Sequence, residues 1–184
     1  GTGSHVRVQN GGSMVDYGPV YIGGSDSETG RLNRVMVAAG AYWSNGAVYV
    51  GYQGVGNSFQ VESSGQVYMT DCYVGWTPGF AGNYFEVNGG VAAASGLLEV
   101  RNGSNILSSG SLAAGSLLMT NAAGQFIFNG GALNTRSAAV NNGLPFVVGD
   151  GTRAARYDVY GTDNLFYDGL LVNAQGSLAG TGRI

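Results

Sequence analysis

The most regular feature of the chain is a set of short triplets in which apolar residues flank a central residue and glycine follows closely. The first series consists of Val6-Arg7-Val8, Val35-Met36-Val37, Phe59-Gln60-Val61, Phe85-Glu86-Val87, Leu98-Glu99-Val100 and, incompletely, Leu171-Val172. Apolar residues at every second position predict a strand with one buried face, and the glycine predicts the turn that ends it. Because the unit recurs along the chain, the pattern indicates stacked coils.

A second series runs in phase with the first. It consists of Val20-Tyr21-Ile22-Gly23, Val48-Tyr49-Val50-Gly51, Cys72-Tyr73-Val74-Gly75 and Phe146-Val147-Val148-Gly149. Its first three glycines stand at positions 23, 51 and 75, and the first four triplets of the first series begin at positions 6, 35, 59 and 85, so the two series recur at similar intervals. The shared period predicts one domain over residues 1–184, built from coils of about 24–29 residues with at least two strands each.

Composition supports an all-β fold. The chain has 34 glycines and only three prolines in 184 residues, and it is rich in strand-favouring valine, tyrosine and phenylalanine. No window of a dozen residues has the periodicity of an amphipathic helix. We therefore expect a single right-handed parallel β-solenoid with essentially no α-helix, right-handed because such crossovers suit twisted strands.

A parallel stack would align equivalent residues of successive coils about 4.8 Å apart. The outward positions of the first series would be Arg7, Met36, Gln60, Glu86 and Glu99, and the inward positions would include Val6, Val35, Phe59, Phe85 and Leu98. On adjacent coils, Glu86 and Glu99 would repel each other. Tyr21, Tyr49 and Tyr73 would form a surface aromatic ladder, which could pack on a second fibre, stack against sugar rings or only stabilise the sheet.

Charge and cysteine content exclude several classes of function. Only 10% of residues are charged, and all eight basic residues are arginines, which excludes lysine-based catalysis. The net charge is −3 and there is no basic patch, which argues against binding to nucleic acid. No apolar run is long enough for membrane insertion. Cys72 is the only cysteine, and it stands where the second series elsewhere has valine, so we expect a small buried apolar side chain.

The two ends of the sequence share a Gly-Thr-Gly turn, and neither resembles the polar unit that usually caps a solenoid. We therefore expect uncapped ends that assemble by end-to-end stacking of coils. The residues assigned to these assembly ends are Gly1, Thr2, Gly3, His5, Gly180, Thr181, Gly182 and Ile184. The expected partner is a further copy of the chain, head to tail, or the flanking coils of a longer chain.

The C-terminal segment Gly-Ser-Leu-Ala-Gly-Thr-Gly-Arg-Ile at 176–184 resembles the glycine-rich signature of autotransporter-associated β-strand repeats. Residues 146–152 and 51–57 are similar to segments of large repetitive bacterial surface proteins. The resemblance implies an exported right-handed parallel β-solenoid that serves as a stalk, a passenger or a fibre. It therefore implies an extracellular location or the bacterial cell surface, and a structural, non-enzymatic function.

Two alternative functions follow from the same architecture. The first is a carbohydrate-binding or adhesive module that uses the tyrosine ladder. The second is a polysaccharide lyase or hydrolase, which needs clustered carboxylates on one face of adjacent coils. The richest acidic patch is Asp158, Asp163 and Asp168 with Arg153 and Arg156 nearby. Its even spacing and the turns at 161–164 and Asp168-Gly169 favour turn chemistry, so no catalytic residue is assigned.

Metal and cofactor sites have little support in the sequence. His5 and Cys72 are the only histidine and cysteine, which excludes a metal site built from clusters of these residues. The loops at 149–152 and 23–26 have room for isolated calcium sites, but the regular nonapeptide calcium-binding repeat is absent. We expect no cofactor.

Overall fold

The computed structural model describes residues 1–161 and 163–184, and all regular elements in these residues are strands. The predicted turn at 161–164 includes Thr162, which lies outside the described residues. Within the described part of the chain, no helix is long and apolar enough to cross a membrane.

The strands are short in the N-terminal half and longer in the middle of the chain. The first eleven are β1 (His5–Val8), β2 (Ser13–Val15), β3 (Val20–Ile22), β4 (Gly24–Ser25), β5 (Glu28–Thr29), β6 (Arg34–Val37), β7 (Tyr42–Ser44), β8 (Val48–Val50), β9 (Ser58–Glu62), β10 (Gln66–Met69) and β11 (Cys72–Val74). The others are β12 (Asn83–Val100), β13 (Gly103–Met119), β14 (Gln125–Phe128), β15 (Gly131–Val140), β16 (Phe146–Val148), β17 (Ala155–Val159), β18 (Asn164–Phe166), β19 (Leu170–Val172) and β20 (Gly176–Gly180).

Parallel pairing arranges these strands as a β-solenoid of about seven coils, which confirms the predicted fold class. The first face contains β1, β6, β9, the start of β12, the start of β13, β14, β16 and β19. The second contains β2, β7, β10, the middle of β12 and β13, the start of β15, β17 and β20. The third contains β3, β8, β11, the ends of β12, β13 and β15, and β18. One small antiparallel hairpin, β4 with β5, projects from the first coil.

The coils are shortest in the middle of the chain. On the first face the register pairs His5 with Arg34, Arg34 with Ser58 and Ser58 with Tyr84, and these coils have the predicted length. Tyr84 then pairs with Ser104 and Ser104 with Gln125, which are closer together in the sequence. The predicted interval of about 24–29 residues is therefore too long for the central coils, which contain about 20 residues each. Their connections are shorter because β12 and β13 continue through the corners of the solenoid.

The register corrects two assignments of strands to series. Leu98-Glu99-Val100 pairs with Cys72-Tyr73-Val74 on the third face and does not continue the first series. Glu99 therefore lies next to Tyr73, as the next member of the tyrosine ladder on the third face. Glu86 lies on the first face, so the predicted repulsion between Glu86 and Glu99 on one ladder is wrong. Phe146-Val147-Val148 pairs with Leu170–Val172, which places it on the first face instead of in the second series.

The core is a stack of inward ladders. On the second face, one inward ladder is formed by Met14, Trp43, Val67, Ala92, Leu112, Leu133, Tyr157 and Leu178. Its interior members are at most 2% exposed, whereas Met14 is 39% and Leu178 43% exposed, because no described coil covers the two ends. Val6, which the sequence predicted to be interior, points inward at the same open end. It is nevertheless 47% exposed, because no described coil lies on the other side of it. Cys72 is fully buried in this core, as predicted.

Asparagines tie together the corner between the third and first faces. The side-chain oxygen of Asn57 accepts bonds from the backbone N–H and side-chain amide of Asn33, at 3.0 and 3.1 Å. Asn83 accepts the equivalent pair from Asn57, both at 3.0 Å, and donates to the carbonyls of Gly54 and Phe80. The ladder satisfies buried backbone groups at a corner where the strand pairing is interrupted.

Candidate functional site

The tyrosines of the second series form a column on the third face. Parallel pairing aligns Tyr21 with Tyr49 and Tyr49 with Tyr73. The ring centroids are 5.0 and 4.8 Å apart, and the ring planes differ by 10° and 14°. Tyr21 is 41% exposed and the other two are half-buried. The spacing equals the distance between neighbouring strands, so the stacking is a direct consequence of the register.

Two further rings from the following loops form a second row beside this column. Tyr52 meets Tyr21 and Tyr49 edge-on at 5.4 and 5.3 Å, and Trp76 meets Tyr49 and Tyr73 edge-on at 5.5 and 4.9 Å. Tyr52 and Trp76 are parallel to each other within 9°, with centroids 5.9 Å apart. We call these five residues the aromatic surface. Edge-to-face and offset parallel pairs are the favoured arrangements of aromatic rings.

The sequence analysis missed Tyr52 and Trp76 as members of this surface. The signal was present, because each residue directly follows the glycine that ends its triplet, in Gly51-Tyr52 and Gly75-Trp76. A ladder of loop residues is harder to recognise than a ladder of strand residues, since loops vary in length and carry no fixed register.

Charged groups contact the two ends of the second row. The Tyr52 hydroxyl donates to the Asp26 carboxylate. At the other end, the Arg101 guanidinium lies 3.7 Å over the Trp76 ring, and its Nε donates to Glu99 at 2.6 Å. Glu99 is only 7% exposed although it occupies an outward position, because this pairing folds it under Arg101. The aromatic surface thus has an acid near one end and a paired guanidinium at the other.

Three phenol groups of the aromatic surface, those of Tyr49, Tyr52 and Tyr73, have pKa values above that of free tyrosine. Burial raises the pKa of Tyr49 and of Tyr73, and nearby tyrosines and Asp71 add to this effect. For Tyr52, the hydrogen bond to Asp26 is the main cause of a raised pKa. These three hydroxyls therefore remain neutral hydrogen-bond donors throughout the physiological range. Together with the rings and the carboxylate, they suit binding of a ligand with both apolar and hydroxyl faces.

The residues assigned to the assembly ends lie in two groups at opposite ends of the stack. In the first coil, Thr2 forms a parallel bridge with Arg31, the Gly3 N–H donates to the Arg31 carbonyl at 2.9 Å, and Gly1 accepts from the Arg31 N–H. His5 begins β1. In the last coil, Gly180 ends β20, the Gly182 N–H donates to the Val159 carbonyl at 2.8 Å, and Thr181 and Ile184 are exposed.

Each carboxylate of the predicted acidic patch binds a different partner. Asp158 accepts from the Arg156 guanidinium through both oxygens, at 2.7 to 2.9 Å. Asp163 pairs with Arg183 at 3.5 Å, and Asp168 accepts the Gly143 N–H at 2.8 Å. In residues 1–161 and 163–184, no group of three histidine, cysteine or acidic side chains is placed to hold a metal ion.

Asp150 lies in one of the two loops considered for calcium, and its carboxylate already makes hydrogen bonds within that loop. Its carboxylate accepts the backbone N–H and hydroxyl of Thr152 and the N–H of Arg153, at 2.7, 2.8 and 3.0 Å. These hydrogen bonds lower the pKa of Asp150 below its ordinary value. The loop is therefore stabilised as an Asx-type turn.

Comparison with known proteins gives no further guidance, since no family model, curated protein or solved structure matches the chain.

Proposed function

We propose that the chain is a non-enzymatic structural element, a segment of an extracellular fibre or surface stalk that extends by end-to-end stacking of solenoid coils. The proposal names a further parallel coil as the partner at each end of the stack, supplied by another copy of the chain or by flanking repeats.

The observation that carries this proposal is the exposure of core positions at both ends of one ladder. Met14 and Leu178 occupy the same inward position as Trp43 and Tyr157, which are 2% and 0% exposed. Their own exposures of 39% and 43% leave apolar surface that one additional coil would cover. The outer edges of β1 and β20 also present backbone groups in the geometry of a parallel ladder, which favours pairing with another strand.

The construction of the stack supports a mechanical role. Backbone pairing, inward apolar ladders and the asparagine corner all repeat along one axis, so the coils form a rod in which each coil contacts mainly its neighbours. The resemblance of residues 176–184 to autotransporter-associated repeats supports the same role and an extracellular or cell-surface location.

Electron microscopy of the purified chain over a range of concentrations tests the proposal. Filaments of uniform width, with a meridional reflection near about 4.8 Å, are the expected result of stacking through the end coils. The variant Met14→Asp should abolish filaments because it places a charge in the new interface. Tyr17→Asp is the matched control, since Tyr17 is 93% exposed in the loop between β2 and β3 and should tolerate the charge.

Single dispersed particles at all concentrations would contradict assembly between copies. Filaments that form equally well from Met14→Asp would show that some other surface joins the particles. Either result would contradict a fibre subunit that assembles through its end coils. The second result would indicate assembly through the lateral faces of the solenoid instead.

A second candidate function is carbohydrate binding or adhesion through the aromatic surface. The specific observation in its favour is the grouping of five rings with their phenol hydroxyls, the Asp26 carboxylate and the Arg101 guanidinium. Sugar rings combine apolar faces with hydroxyl groups, and aromatic side chains with polar neighbours match both features.

Tryptophan fluorescence tests this candidate, because one of the two tryptophans lies in the aromatic surface and the other in the core. A bound oligosaccharide should change the emission of half-buried Trp76 and leave that of Trp43, which is 2% exposed, unchanged. The variant Trp43→Phe isolates the Trp76 signal, and Tyr21→Ala should weaken any saturable response. No saturable change with neutral or acidic oligosaccharides would reject this function.

A further inference from the structure

A cleft interrupts the first face of the solenoid between two coils. β14 pairs with β13 and β16 pairs with β19, but among the described strands no pairing joins β14 to β16. The gap contains a cavity of about 310 Å³. Its lining residues include Met119, Phe126, Val140, Asn142, Leu144 and Phe146. Since Met119 and Val140 are core residues, the cleft reaches from the surface into the interior.

One buried polar atom of a side chain in this cleft lacks a hydrogen-bond partner among the described residues. Asn142 is 6% exposed, and its Nδ2 donates to the Gly124 carbonyl at 2.8 Å. That bond fixes the amide orientation, because a carbonyl oxygen can only accept a hydrogen bond. The Oδ1 of Asn142 has no hydrogen-bond partner among the described residues. Asn45, Gln60 and Asn105 also have buried amide atoms without partners in the described part of the chain. Asn142 is the one of these four residues that lines the cleft, so its oxygen is available to a donor on a bound molecule.

We infer that the cleft is a binding site for a small neutral molecule with an apolar body and one hydroxyl or N–H group. The cavity is at the small end of the range of ligand sites, which begins at about 300 Å³, and its lining is mostly apolar, with Asn142 and Gln125 as its polar side chains and no charged side chain. The Phe126 and Phe146 rings, with centroids 5.2 Å apart, supply an aromatic wall. The donor of the ligand bonds the Oδ1 of Asn142.

Methionine methyl NMR with phenol and toluene as probes tests this site. The chain has four methionines, of which Met119 lines the cleft and Met69 is buried elsewhere at 3% exposure. Phenol should shift the Met119 methyl signal saturably and leave the Met69 signal in place. Toluene has a similar size but no donor, so we expect it to bind about 2- to 10-fold more weakly, the ratio that one net hydrogen bond provides.

Two variants separate the site from general hydrophobic binding. Asn142→Leu should remove the preference for phenol over toluene. Val147→Phe should fill the mouth of the cleft and abolish the Met119 shift, whereas Leu171→Phe should not, since Leu171 pairs with Val147 but does not line the cavity. Absence of a saturable Met119 shift in the wild-type chain, or equal shifts of all four methyl groups, would overturn the inference without bearing on end-to-end assembly.

Discussion

At the residue scale, the solenoid depends on glycines that lie directly over the asparagine ladder. Gly51 has a φ of +73°, and a Cβ atom there would collide with the side chain of Asn83. Gly23 has the same relation to Asn57 in the preceding coil. The sequence predicted these glycines as turn residues, but not the asparagines beneath them. The reason is that Asn33, Asn57 and Asn83 lie outside the apolar triplets, and only the register shows that they are neighbours.

Gly51→Ala should destabilise the protein more than Gly40→Ala. Both glycines have nearly the same φ, +73° and +72°, so the backbone strain of about 1–2 kcal/mol is common to the two variants. Gly40 has open space where a Cβ would be, whereas Gly51 does not, and overpacking adds about 1–3 kcal/mol. Urea unfolding measures the difference. Equal losses of stability in the two variants would show that the Asn83 side chain moves aside for the new methyl group without a loss of free energy.

Asn83→Ala should lower the free energy of unfolding by at least about 2 kcal/mol, because it leaves several buried polar groups without partners. These groups include the N–H of Asn57 and the carbonyls of Gly54 and Phe80. Asn88→Ala is the control, since Asn88 is exposed and its side chain bonds only the Ser109 hydroxyl among the described contacts. If both variants unfold at the same urea concentration, the ladder contributes nothing to stability.

At the element scale, the strands with apolar triplets were predictable and the second face was not. Alternation indicated β6, β8, β9 and β11 directly, because each has apolar side chains at alternate buried positions. In the long strands β12 and β13 the second face was hidden, because these segments carry small residues, such as Ala92 and Ala94, and interrupt the alternation with glycine. The column of tyrosines followed from the sequence, but the row formed by Tyr52 and Trp76 did not, since loop positions have no predictable register.

The inward ladder of the second face predicts a loss of stability in alkali. Burial raises the pKa of Tyr157 to about 12 from an ordinary value of 10.0, although its hydroxyl bonds the Thr135 hydroxyl at 2.8 Å. The unfolded chain therefore loses this proton first, so stability is complete below pH 10 and falls between pH 10 and 12. The contribution that is lost is about 2–3 kcal/mol.

Comparison of wild-type protein with Tyr157→Phe isolates this contribution. The difference in unfolding free energy between the two proteins should shrink, or change sign in favour of the phenylalanine variant, between pH 10 and 12. Tyr160→Phe is the control for removal of a phenol hydroxyl at the surface, because Tyr160 is 54% exposed. A constant difference between wild type and Tyr157→Phe across this range would contradict the assignment.

At the scale of the whole molecule, the stack is a rod with apolar core positions open at both ends. The fold class was predictable because a repeated unit leaves few alternatives once every coil must bury one apolar face. Coil length was less predictable, since continuous strands such as β12 and β13 turn the corners on glycine. Gly110 and Gly131 have φ of +85° and +88° and approach backbone of the neighbouring coil too closely for a Cβ atom. The cleft at β14 and β16 had no sequence signal, because both strands have ordinary apolar patterns.

The most direct test of end-to-end stacking is oxidative disulfide formation in the double variant Met14→Cys/Leu178→Cys, because stacking would place the two inward positions one strand spacing apart. Within one molecule the two positions are separated by about seven coils of about 4.8 Å, too far apart for an intramolecular disulfide. Buried Cys72 should not react. Our account predicts a covalent series of dimers, trimers and larger species. Monomer alone, or an equal series when Tyr17→Cys replaces Met14→Cys, would contradict it.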